Sequence, residues 1–212
     1  MSAKKPTIAI ADYGIGNLGS LANAFAYNGA DVLVTSRGAD LVAADGMVLP
    51  GNGAFGACKQ AMDKLSISRW IGQRVSGGRP VLGLCVGHQV LFDDSTEFGS
   101  HEGMGEWPGT VEKLKAATVP HLGWNTIRPA QNSTIFAGLE NERFYFAHSY
   151  AVLEWNFDQG IEVMEPPHVS WSNHGGDFIA AVENGPLTGI QFHPELSGYA
   201  GLQLLNNWLG TL

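Results

Sequence analysis

The sequence predicts an α/β fold: a mixed, mostly parallel sheet flanked by helices, with antiparallel strands added in the second half. Three observations carry this. The first 92 residues alternate short apolar runs with amphipathic segments, the signature of parallel strands joined by crossover helices. The run Pro80–Leu84 is apolar throughout, as a strand buried on both faces must be. After Phe92 the pattern changes to short strands separated by Pro, Asn and Gly turns.

Thr7–Ala11 reads as the first strand, and Asp12-Tyr13-Gly14-Ile15-Gly16-Asn17 as a turn. Leu18–Asn28 reads as a helix, with Leu18, Leu21, Ala22 and Phe25 on one face and Gly29 as its stop. Asp31–Thr35 and Gly46–Leu49 are the next strands, the latter halted by Pro50-Gly51-Asn52-Gly53. Ser66–Ser76 carries Ile67, Trp70, Ile71 and Val75 at helical spacing, and Pro80–Leu84 is the fourth strand. Gly99–Gly109 is glycine-rich and irregular. Thr110–Lys115, Arg143–His148, Phe178–Glu183 and Leu187–Phe192 follow as strands, and a closing helix places Leu202, Leu205, Trp208 and Leu209 on one face. With no repeat and no linker, residues 1–212 read as one domain.

Composition narrows the function. Lys plus Arg number 12 against 20 Asp plus Glu, a net charge of −8, which argues against tracking nucleic-acid phosphates. Cys58 and Cys85 form no CxxC, and the apolar run after Met1–Pro6 is short for a signal-peptide core. No stretch approaches a membrane span. The expectation is a soluble, cytoplasmic protein. The seven histidines are scattered, and His101-Glu102 lacks the second His of HExxH, so no metal is expected.

Gly14-Ile15-Gly16-Asn17-Leu18-Gly19 fits GxGxxG, but Thr35-Ser36-Arg37 stands where a dinucleotide site needs an acid. It reads instead as a tight strand-to-helix turn, and no cofactor is expected. Gly83-Leu84-Cys85-Val86-Gly87 is the cysteine form of a nucleophile elbow. Its glycines clear side chains where strand and helix crowd, the turn lifts the thiol to the strand's C-terminal end, and a helix starting there favours thiolate. Cys58 lacks that setting and reads as packing. In Gln191-Phe192-His193-Pro194-Glu195, extended residues two apart share a side, so Glu195 can orient His193. Cys85, His193 and Glu195 are then nucleophile, base and orienter. The N–H of Val86 and one from Gly51 or Asn52 supply the oxyanion hole.

These segments together resemble the glutaminase subunits of imidazole glycerol phosphate synthase, class I (triad) glutamine amidotransferases of histidine biosynthesis. The elbow and FHPE are shared by all triad amidotransferases. Leu49–Phe55 resembles their oxyanion strand, and Asp12–Leu18, Pro120-His121-Leu122-Gly123-Trp124-Asn125 and Tyr145-Phe146-Ala147-His148-Ser149-Tyr150 narrow the likeness to this subunit. The resemblance implies glutamine hydrolysis through a thioester on Cys85, with Gln89, Glu97, Ser149 and Tyr150 holding glutamine. It also implies a heterodimer with a (β/α)₈ cyclase subunit, a separate polypeptide facing Asn17, His121, Trp124 and Tyr145. Ammonia passed there converts PRFAR to imidazole glycerol phosphate and AICAR. Rival readings are the glutaminase of another triad amidotransferase, a stand-alone Cys hydrolase, or a non-catalytic binding subunit.

Three positions depart from the family pattern. Asn52 replaces Val in the oxyanion strand, His88 replaces Met, and Leu196 replaces a Lys expected to contact the barrel. The resemblance implies an oxyanion strand that rests with one peptide turned away. Asn tolerates positive φ better than Val, so Asn52 is expected to ease the turn inward and raise basal activity; the alternative is that its side chain locks the resting turn by a local hydrogen bond.

Overall fold

The computed structural model describes residues 4–155 and 166–212. Met1, Ser2 and Ala3, part of the N-terminal segment considered above, lie outside them. In chain order the elements are β1 (Thr7–Ala11), α1 (Leu18–Tyr27), β2 (Asp31–Thr35), α2 (Gly38–Ala43), β3 (Gly46–Leu49), α3 (Phe55–Lys64), α4 (Ile67–Ser76), β4 (Val81–Leu84) and α5 (Val86–Gln89). Then come β5 (Phe92–Ser95), β6 (His101–Glu102), β7 (Trp107–Lys113), β8 (His121–Thr126), β9 (Arg143–His148), β10 (Tyr150–Val152), β11 (His168–Asn173), β12 (Asp177–Asn184), β13 (Leu187–Ile190) and α6 (Gly198–Leu209). A 3-10 turn, Pro194–Leu196, precedes α6.

The central sheet runs β11-β12-β13-β4-β3-β1-β2. From β13 to β2 all pairings are parallel; β12, the expected Phe178–Glu183 strand, and β11, which no expected strand covers, add the antiparallel edge. Strand alternation splits the core in two. Ile8 and Ile10 face Phe25, Phe136 and Trp208, whereas Ala9 and Ala11 face Phe55, Met62 and Ile71. Covering both faces is what makes β3 and β4 apolar throughout. The fully buried Arg74 of α4 donates to the carbonyls of Leu41, Val42, Ala44, Asp45 and Pro80, tying α4 to the entrances of β3 and β4. A buried guanidinium is tolerable because backbone oxygens surround it.

Two smaller sheets are separate from it: β10-β7-β5-β6 and the antiparallel pair β8-β9. The parallel run places the C-terminal ends of β1, β3, β4 and β13 on one rim. The segments that follow them are Asp12–Asn17, Pro50–Gly53, Cys85–Val86 and Gln191–Glu195. Ligands of open α/β sheets bind on this rim. α2, α3 and most of the second sheet go beyond the sequence expectation, and Thr110–Lys115 begins earlier, at Trp107.

Candidate active site

Cys85 sits between β4 and α5 at φ 52° and ψ −113°, a backbone region that L-residues avoid. The glycines around it make the turn possible. A methyl on Gly83 would meet the Gly87 carbonyl, and one on Gly87 would overlap the Leu49 carbonyl oxygen. The elbow is therefore pressed against the oxyanion strand. One expectation needs correction: α5 is only four residues long, so a helix dipole contributes little at Cys85. The basic partner is His193. Burial by itself lowers the His193 pKa, but hydrogen bonds to Cys85 and Glu195, and their charges, raise it to about 10. His193 Nδ1 lies 3.0 Å from Glu195 Oε1, and both side chains are largely buried. Cys58 on α3 is fully buried, and burial pushes its thiol up to about 12.

Val86 opens α5, so its N–H has no acceptor one turn back. Gly51 packs on the Val86–Gly87 backbone, and Gly53 takes the positive φ of the strand, +80°. Asn52 does not take it; its Oδ1 instead accepts from the Gly53 N–H at 2.8 Å. This is the local side-chain bond that could lock the turn; the positive φ expected of Asn52 belongs to the inward-turned strand, and here Gly53 takes it.

A cavity of about 40 Å³ is lined by Cys85, Val86 and Asn52 together with Gln89, Glu97, Ser149 and Tyr150. The four residues that the family resemblance assigned to glutamine therefore line the same cavity as Cys85. Glu97 Oε2 also accepts from the Phe55 N–H at 2.6 Å, capping α3. Sequence reasoning missed His148, which lines this cavity, and Gln191, whose Nε2 lies 3.8 Å from Cys85 Sγ. Gln191 was within reach, because it shares a strand side with His193, two residues on.

A second cavity, about 210 Å³, lies across the oxyanion strand and is lined by Gly16, Asn17, Gly51, His193, Glu195 and Leu196. Asn17 also caps α1 through Ser20. Trp124 and Tyr145 are cross-strand neighbours with rings 6.0 Å apart, and Trp124 is 47% exposed. His121 is different. It is buried, hydrogen-bonded to His148 and stacked on Phe146 and His174, so it does not share Trp124's exposed face. Positions 121 and 124 are three apart on one strand and point to opposite sides. Among the described residues, no group of three His, Cys, Asp or Glu could hold a metal, and no helix is long and apolar enough to cross a membrane.

The class-I glutamine amidotransferase family model matches residues 9–210. An imidazole glycerol phosphate synthase subunit HisH from Renibacterium salmoninarum is 51% identical over 207 residues, covering 97% of this chain and 94% of that one. A HisH from Streptomyces avermitilis is 50% identical, covering 100% and 98%.

The chain belongs to the class-I glutamine amidotransferases, in the HisH line.

Solved structures agree on the fold of this HisH relative. A glutamine amidotransferase crystal structure superposes with TM-score 0.71 at 16% identity, covering 97% of this chain and 99% of that one. PurLQS from Thermotoga maritima gives TM-score 0.68 at 21% identity, covering 98% and 99%.

Proposed function

We propose that this chain is the glutaminase subunit of imidazole glycerol phosphate synthase in histidine biosynthesis. It hydrolyses glutamine to glutamate and ammonia and delivers the ammonia to a (β/α)₈ cyclase subunit. The observation that carries this is the meeting of Cys85 with Gln89, Glu97, Ser149 and Tyr150 around one cavity beside the His193–Glu195 pair.

In the proposed reaction the Cys85 sulfur attacks the carboxamide carbon of glutamine. The N–H groups of Val86 and of Gly51 or Asn52 receive the oxyanion. Protonated His193 gives its Nε2 proton to the departing ammonia, and a thioester remains. His193, now neutral, takes a proton from water, whose oxygen attacks the thioester and releases glutamate and the thiolate. Glu195 keeps the imidazole Nδ1–H pointed away from the sulfur and stabilises the imidazolium.

The exposed apolar residues Leu122, Trp124, Leu196 and Tyr199 support the cyclase-facing assignment, with Tyr145 behind Trp124 and Asn17 in the cavity beside Leu196. Leu196, where the family expectation is Lys, adds apolar area and supplies no charge.

The test is Cys85→Ala and Cys85→Ser in the complex reconstituted with the cyclase subunit. Glutamine-dependent synthesis should disappear while synthesis from ammonium salts persists. Equal loss of both activities would overturn the proposal.

A further inference from the structure

A buried chain of hydrogen bonds leads to the Cys85 sulfur, and its direction is fixed by a single carbonyl. The Tyr150 carbonyl oxygen can only accept. It receives Gln89 Nε2 at 2.7 Å and His148 Nδ1 at 3.0 Å. Gln89 therefore presents its NH₂ group there, and the second hydrogen of that group reaches Gln191 Oε1 at 3.0 Å. With its oxygen engaged, Gln191 must turn its own NH₂ toward Cys85 Sγ, 3.8 Å away. The flipped amide would set two donors against each other between Gln89 and Gln191.

The other branch is equally determined. Burial holds His148 neutral, at about 3, and His121 neutral, at about 4, the latter also lowered by facing His174. His148 spends its one N–H on Tyr150, so its Nε2 accepts from His121 Nδ1 at 3.0 Å. His121 Nε2 then accepts from Asn125 Nδ2 at 3.2 Å, whose other hydrogen goes to the Asn173 carbonyl at 2.9 Å. Each donor in the chain has one acceptor. Reversing any member strands a buried polar group.

We propose that Gln191 is a further working residue of the site: its side-chain N–H donates to the Cys85 sulfur, holding the thiolate in place, and Gln89 locks Gln191 in the donating orientation. Gln191 is fully buried, so no water competes for the sulfur from that side. The donor strengthens when the sulfur is anionic and weakens when it is a thioester. It thus favours the sulfur before attack and as the leaving group of hydrolysis. Gln89 acts twice, since its nitrogen sets Gln191 while its oxygen stays available to the cavity.

The inference takes its functional meaning from Cys85 as nucleophile, but its test reads the thiol directly. The rate of Cys85 alkylation by iodoacetamide, located by mass spectrometry, is measured from pH 6 to 10 for the full chain and for Gln191→Met and Gln191→Glu. Gln191→Met should react about tenfold more slowly at pH 7 and converge with the natural chain at high pH. Gln191→Glu, which keeps an acceptor for Gln89 and sets a carboxylate beside the sulfur, should be slower still at pH 7. A folded variant with an unchanged pH profile would overturn the inference. In the unsubstituted protein, the Gln191 side-chain amide proton resonance should shift when Cys85 is alkylated; no shift would overturn the inference even if neither variant folds. Loss of the Cys85 assignment in the cyclase assay, with this profile intact, would instead count against the glutaminase reading alone.

Discussion

Gly51 and Gly87 are in backbone contact: a methyl on Gly51 would overlap the Gly87 nitrogen, and a methyl on Gly87 would overlap the Leu49 carbonyl oxygen. The oxyanion strand and the nucleophile elbow are thus one packed unit, with two glycines as its seam. Neither neighbour is a flexible side chain that could swing aside.

Gly51→Ala and Gly87→Ala should each lower glutaminase kcat by at least about 100-fold, since a shift of about 1 Å misplaces sulfur and donors alike. Gly53→Ala is the contrast. Gly53 has φ +80° but open space around its Cα, so its cost is the left-handed backbone alone, about 1–2 kcal/mol. Steady-state kinetics and thermal unfolding of the three variants separate the cases. A Gly87→Ala enzyme with near-normal turnover would contradict the packed seam.

The second prediction concerns acid. His88 is buried with Nδ1 lacking a hydrogen-bond partner among the described residues, between Phe92, Trp107 and the Gly189 backbone. Burial lowers its pKa from 6.5 to about 3. Between those values the unfolded chain binds a proton that the folded chain refuses. Stability therefore falls as pH drops below 6.5, by up to about 1.4 kcal/mol per pH unit for each such histidine. His121 and His148 add to the same decline. His88→Met fills the apolar site without a titrating group. Urea unfolding at pH 7 and pH 5 should show the variant gaining about 2 kcal/mol relative to the natural chain across that interval. Parallel declines in the two proteins would refute it.

The third separates two residues of one strand. Trp124→Ala with Tyr145→Ala should weaken association with the cyclase subunit about 30-fold, the scale of a central aromatic anchor, while the isolated chain still folds. His121→Ala should act on stability instead. It leaves His148 Nε2 without its donor in a buried site and removes the stack on Phe146 and His174, costing about 2–4 kcal/mol. Analytical ultracentrifugation and thermal unfolding read the two effects. A stable His121→Ala chain that fails only in association would restore His121 to the interface.

The parallel half and the grouping of Cys85, His193 and Glu195 were legible because each leaves a local mark: apolar runs between glycine stops, glycines flanking Cys85, and His193 two residues before Glu195. α3 leaves a weak one. Its apolar Phe55, Cys58 and Met62 have helical spacing, but Ala54 offers no side-chain cap. The cap comes from Glu97, distant in the chain, so the helix start is tertiary information. Gln191's role was hidden for the same reason. Its amide orientation depends on Gln89 and on a carbonyl of β10, and neither is a neighbour in sequence. His121 was named from a motif, whereas strand alternation places it in the interior, away from Trp124.

The last prediction concerns Asn52, whose bond to the Gly53 N–H makes it a tether for the resting strand. In the strand turn that the family resemblance implies, aiming a second donor at the oxyanion is expected to break that bond. The tether is partly exposed and local, so its net worth is about 0.5–1 kcal/mol. Asn52→Ala and Asn52→Val should therefore raise basal glutaminase turnover, measured in the complex without the cyclase ligand, by about twofold to fivefold. Turnover with ligand bound should change little, because on this reading the ligand has then already turned the strand. Asn52→Asp keeps the acceptor oxygen and should keep the low basal rate, which distinguishes loss of the tether from a change of shape. A lower basal rate in the Val variant would show that the backbone freedom of Asn, and not its side-chain bond, governs the strand.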